Sequence, residues 1–195
     1  MIIVDYTLKL STFHEKLQEK NNVSTISVYI AETMTNKIRE IIIPKEEAVF
    51  WLDKAGCWRN EGGKFRNKKI IDYFHAAIER DDAGYFVSHV RDDFLEKVYF
   101  NYEDTALFVF DVLVNGTITL ALNTGKQLPL TPGDLYIRDD NLYVMDNNEP
   151  IKFSERAMMK LSSFIIEDNG LLFLEWNGNI HKISEKGRHD EKSGF

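Results

Sequence analysis

The chain has 195 residues, 44% hydrophobic and 12% aromatic, enough to bury a sizeable core as one long domain or two small modules. A formal net charge of −7 at pH 7 lacks the basic footprint that nucleic acid requires, and an anionic membrane surface would repel it on average. Cys57 is the one cysteine, Asp5 interrupts the apolar start at Met1-Ile2-Ile3-Val4, and no later run approaches the roughly 20 apolar residues of a span, so a cytoplasmic protein is expected, with no nucleic acid and no membrane as partner.

Residues 1–50 read as a preface packed on a first module. Thr12 and Glu15 have capping-box spacing, which predicts a helix over Phe13–Lys20 ended by Asn21-Asn22. Val23–Ile30 is β-branched and alternating, the pattern of a strand. Residues 31–43 stay open: Met34, Ile38 and Ile41 have helical spacing, yet Ile41-Ile42-Ile43 before Pro44 also fits a buried strand.

A first β-rich module is expected over residues 51–124. Val49–Asp53 and Cys57–Asn60 flank Lys54-Ala55-Gly56, a hairpin with glycine where a left-handed residue is often required. Asn67 can cap a helix in which Ile70, Phe74 and Ile78 recur every fourth residue. Strands follow at Tyr85–Val90, Val98–Tyr102, Leu107–Val114 and Thr117–Leu122, the last two around Asn115-Gly116, a type I′ turn signal.

The second β-rich module, residues 125–183, repeats the plan. Strands at Leu135–Ile137 and Leu142–Met145 precede a helix capped by Ser154 and carrying Ala157, Met158, Leu161, Phe164 and Ile165. Leu171–Trp176 and Ile180–Ile183 then flank Asn177-Gly178, and residues 184–195 read as a mobile charged tail. Trp58–Val87 recurs without a gap as Val144–Phe173 (144 − 58 = 86), each copy leaving its helix through an acidic pair and a glycine. The expected fold is therefore α+β: two β-rich modules, each with one main helix, built from a strand-helix-strand repeat with antiparallel sheets.

Ala55-Gly56, Trp58, the Ile70–Ile78 helix, Asp82 with Gly84, and Tyr102-Glu103-Asp104-Thr105-Ala106-Leu107-Phe108 follow a recognisable order, continued by Asn123-Thr124, Leu128-Pro129-Leu130 and Arg156. In this order residues 51–165 resemble the uncharacterised bacterial DUF1285 family. Leu107 stands where the family has proline, and Asn123-Thr124 reverses its Thr-Asn pair. The resemblance implies repeated β-rich modules each carrying a helix, with ligand binding or signal transduction in view and no chemistry assigned.

No pair among His14, His75, His89, His181 and His189 has the spacing of two metal ligands on one helix face, so no metal and no cofactor are expected. Gly62-Gly63-Lys64 lacks both the glycine spacing and the hydroxyl of a phosphate loop and reads as a turn. Cys57 has no base beside it and reads as a buried strand cysteine, and His75 falls at the core boundary. Arg91, Arg138 and Arg156 are candidates for a shared anionic pocket.

The favoured reading is a binding or regulatory module that holds a small molecule or a protein partner between its modules, with Trp58 for apolar contact and Arg91, Asp104, Asn123 and Arg156 for polar specificity. The alternative is a hydrolase in which Asp92 or Asp93 orients His89, against which stands a plain solvated loop. A homo-oligomer formed through sheet edges is a third reading.

Overall fold

The computed structural model describes residues 39–91 and 94–186. The expected helix over Phe13–Lys20 and strand over Val23–Ile30 lie outside them, as do Asp92, Asp93, His14 and His189. The described chain is mostly β-strand, in mostly antiparallel sheets, with two α-helices: an α+β fold. It divides into two compact units. Unit 1 takes the residues up to Trp51 and Arg59–Asn101, and unit 2 takes Leu52–Trp58 and the residues from Tyr102 onward.

In unit 1, Arg39–Ile43 is strand β1, so the open end of the 31–43 run is extended. Phe50–Leu52 (β2) and Trp58–Asn60 (β3) lead across the division of the chain, and Gly63–Lys64 (β4) returns on β3 with Asn60 opposite Gly63. Helix α1, Lys68–Ala76, starts where expected because Asn67 Oδ1 accepts from the amides of Lys69 (3.0 Å) and Ile70 (3.3 Å). It ends earlier than its periodicity suggests: Ile78 opens strand β5, Ile78–Asp81, opposite Val87. Strands β6 (Gly84–Arg91) and β7 (Phe94–Tyr99) complete a sheet in the order β1-β7-β6-β5. Phe74 of α1 meets Phe50 and Phe65 edge-on at 5.0 and 5.5 Å, the contact that fixes the helix on its core.

Unit 2 follows the short strand β8, Asn101–Tyr102. Its larger sheet contains β9 (Leu107–Asn115), β10 (Thr117–Leu122), β11 (Gln127–Pro129), β12 (Leu135–Arg138), β13 (Asn141–Asp146) and β14 (Glu149–Phe153). Helix α2, Glu155–Leu161, is capped by Ser154 as expected. After it come β15 (Ile165–Asp168), β16 (Leu171–Trp176) and β17 (Asn179–Lys182), a three-stranded antiparallel sheet. Ser184–Glu185 (β18) adds a seventh strand to the larger sheet, ordered β11-β10-β9-β14-β13-β12-β18.

Several expectations are corrected here. The boundary at 124/125 falls inside unit 2, between the paired strands β10 and β11. Residues 184–186 are not tail: β18 pairs with β12, and Lys186 N donates to Ile137 O at 2.8 Å, a main-chain bond that needs no apolar side chain. The pairs β1–β7, β9–β14 and β12–β18 are parallel, so the two sheets that hold them are mixed within a mostly antiparallel order. The β9–β10 hairpin exists, but only Gly116 takes a positive φ (68°), while Asn115 stays in the strand opposite Thr117. That is a single left-handed glycine at the tip, as in a bulged hairpin rather than a type I′ turn. Paired positive φ values occur instead at Asp139-Asp140, Asn147-Asn148, Asn169-Gly170 and Asn177-Gly178, each joining two antiparallel strands.

Candidate functional site

The larger sheet of unit 2 has two unlike faces. Leu135, Val144, Ile151 and Leu107 stand opposite one another along one row and face the core with Ala157 and Leu161 of α2. One residue along each strand, the row Ser184, Tyr136, Tyr143, Lys152 and Phe108 therefore faces the other way across five strands. Tyr136 and Tyr143 stack at 5.3 Å and are buried.

Asp104 lies against this row. Its Oδ1 accepts from Arg138 Nη2 at 2.8 Å, and its Oδ2 accepts from Tyr143 Oη and from Lys152 Nζ, both at 2.7 Å. Arg138 also lies over the Tyr143 ring at 4.4 Å and Lys186 over the Tyr136 ring at 4.1 Å, so cations and aromatic faces alternate. Side-chain exposure is 16% for Asp104, 11% for Arg138 and 9% for Lys152: near the surface, but largely withdrawn from water.

Burial by itself would raise the carboxyl pKa of Asp104. The hydrogen bonds from Lys152 and Tyr143, with the charges of Lys152 and Arg138, outweigh it and hold the group below the ordinary carboxylate value. Tyr143 is pushed up to about 12 by burial and by the bond it donates to Asp104. At neutral pH Asp104 is thus the anion and Tyr143 a protonated donor.

The loop bearing Asp104 is anchored on both sides by other atoms. On one side Glu103 N donates to Leu52 O at 3.0 Å, and Glu103 Oε2 accepts from Lys54 N at 3.1 Å. On the other, Thr105 Oγ1 donates to Pro150 O at 2.7 Å, while Asn123 accepts from Phe108 N through Oδ1 and donates to Ala106 O through Nδ2. Asn123 is thus a buried backbone staple. Asp53 Oδ1 ties the Lys54-Ala55-Gly56 turn by accepting from Ala55 N and Cys57 N. Cys57, expected inside a strand, is half-buried in this turn instead.

The remaining candidates are placed otherwise. Trp58 is a buried core residue of unit 2. Arg156 is 72% exposed on α2 and pairs with Asp111 at 2.9 Å, beside Lys160 at 2.5 Å, so it does not share an anion site with Arg138. Arg91 is exposed at the end of β6 in unit 1. The structure joins Asp104 to Arg138 and adds Lys152, Tyr143, Tyr136 and Lys186, which the sequence reading passed over.

In unit 1, His89 lies within β6 rather than in a solvated loop. Its Nδ1 is 2.5 Å from Tyr73 Oη of α1, and it stands opposite Glu96 of β7. Burial lowers the pKa of His89 and raises that of Tyr73. His75, placed by its spacing at the core boundary, is fully inside, and burial lowers it to about 4. Among the described residues no group of three or more His, Cys, Asp or Glu side chains is placed to hold a metal, and no helix is long and apolar enough to cross a membrane.

No family model matches the sequence, and no curated protein matches it. Solved structures do resemble it. A DUF1285 family protein from Silicibacter pomeroyi DSS-3 matches with a TM-score of 0.52 at 14% identity, over 79% of this chain and 93% of that one. A second DUF1285 family protein, from Shewanella baltica OS155, matches with a TM-score of 0.44 at 16% identity, over 61% of this chain and 94% of that one. With the resemblance read from residues 51–165 now met by a likeness in three dimensions, the chain has a DUF1285-like fold.

Proposed function

We propose that this chain is a non-catalytic regulatory module that binds a small anionic molecule at the Asp104 centre of unit 2. One observation carries the reading. Three adjacent strands aim Arg138, Tyr143 and Lys152 at one carboxylate, and Lys186 lies over the next ring of the same row, in a chain whose net charge is −7. Each ion withdrawn from water costs several kcal/mol, roughly, and an apolar row would fill the same space more cheaply. Cationic donors clustered at the edge of solvent suit recognition of an anion. A cytoplasmic setting and a part in signal transduction belong to the same reading. A thermal-shift screen of the full chain against small organic anions tests it. The expected result is a saturable rise that disappears in Arg138→Met; a rise undiminished in that variant contradicts the site.

We further infer that the two hairpin-helix-meander segments descend from one copied segment. Support comes from the registers. Asn60 opposite Gly63 corresponds to Asp146 opposite Glu149 at the offset read from the sequence (146 − 60 = 86), and the antiparallel pairs after each helix, β5–β6 and β15–β16, correspond with a slip of one residue, Asp81 opposite Gly84 against Asp168 opposite Leu171 (168 − 81 = 87). Superposition of the two segments in a crystal structure checks this: a shared path supports it, and helices leaving their hairpins on opposite sides contradict it.

A further inference from the structure

We propose that Arg138, Tyr143 and Lys152 form a receptor for a carboxylate group, that Asp104 occupies it from within the chain, and that a ligand carboxylate takes its place. The inference rests on the reading above and specifies the ligand class. A planar carboxylate with two oxygens is what the donors fit: a guanidinium on Oδ1, and an ammonium and a phenol on Oδ2, at 2.7–2.8 Å. The donors come from β12, β13 and β14, neighbours in one sheet, so their spacing is set by the strand ladder and not by the loop that carries Asp104. That loop is in turn held by Leu52, Lys54, Pro150 and Asn123 through atoms other than the Asp104 side chain. Rotating the Asp104 side chain therefore moves its carboxylate without unravelling the loop, and its 16% exposure places it beside water. A ligand carboxylate in its place restores the same three bonds.

The test is chemical rescue of the full-length Asp104→Ala protein, with Asp104→Ser carried in parallel should the alanine variant fold poorly. Melting temperature is followed against sodium acetate, sodium phosphate and sodium chloride at matched ionic strength. The receptor predicts a variant that melts below the wild type, recovers most of that loss with acetate in a saturable manner, and does not recover with chloride. Rescue disappears when Arg138→Met is added. Equal responses to acetate and chloride in both variants overturn the proposal, and stronger rescue by phosphate overturns the ligand class. Acetate rescue in a protein whose wild type responds to no anion leaves the receptor standing but overturns the displacement of Asp104, and with it regulatory binding, so the two ideas fail separately.

Discussion

Lys152 Nζ stands 2.7 Å from Asp104 Oδ2 across 48 positions of chain, in a site where neither side chain is more than 16% exposed. Removing Asp104 leaves Lys152 charged and poorly solvated, at a cost of about 3–5 kcal/mol, whereas removing Lys152 leaves Asp104 bonded to Arg138 and Tyr143. Asp104→Asn is expected to destabilise on that scale, Lys152→Met by less, and the double variant by clearly less than their sum. Denaturant unfolding of the four proteins measures the difference. Additive losses would show that the two groups do not act together.

Asp104 and Tyr143 set an acid and an alkaline limit. The carboxyl pKa of Asp104 is depressed, so the stability it contributes is present above the ordinary carboxylate value of about 3.9 and is lost as pH falls through its folded value. The pKa of Tyr143 is raised, so its contribution is present below about 10 and is lost as pH rises toward about 12. Tyr143→Phe should lose less stability on going from pH 9 to 11 than the wild type, read from unfolding midpoints at those pH values. Parallel alkaline losses would contradict the assignment.

His75 governs a separate window. Its folded pKa of about 4 lies below the ordinary imidazole value of 6.5, so unfolding takes up a proton between these limits and stability falls as pH drops through them. The total is about 3 kcal/mol for a buried imidazole. His75→Leu should flatten the stability profile between pH 6.5 and 4 relative to the wild type. Equal slopes in the two proteins, measured by urea unfolding, would refute it.

Gly56 and Gly116 share a positive φ, 73° and 68°, in different surroundings. A Cβ on Gly56 would stand 2.9 Å from Phe108 Cγ, whereas one on Gly116 would meet nothing within 4 Å. Gly116→Ala is expected to cost about 1–2 kcal/mol from backbone strain. Gly56→Ala should cost more, and Phe108→Leu should recover part of the excess. Equal melting-temperature losses for the two alanine variants would contradict the packing of this turn on Phe108.

Local signals in the chain were legible where one residue decides the geometry. Asn67 and Ser154 cap their helices, and Asn177-Gly178 turns its hairpin, because each satisfies a specific amide or φ requirement. Strand β14 escaped notice because Pro150 and Lys152 interrupt its apolar pattern, and Asn147-Asn148 carries no glycine to announce a turn. The sequence marks Asp104 for polar specificity and Arg138 for an anionic pocket, but no spacing in it links the two or adds Tyr143 and Lys152. Arg138, Tyr143 and Lys152 lie on three strands, and only the registers of β12, β13 and β14 bring them together. Lys152 between Ile151 and Phe153 was the available hint, a lone cation in a strand whose neighbours face the core.

Native mass spectrometry of the wild type and of Arg138→Met, purified identically, tests the central claim most directly. The account predicts that a small acidic molecule accompanies the wild type and is depleted from the variant while the fold, followed by circular dichroism, is kept. The same small-molecule content in both folded proteins would contradict binding at the Asp104 centre.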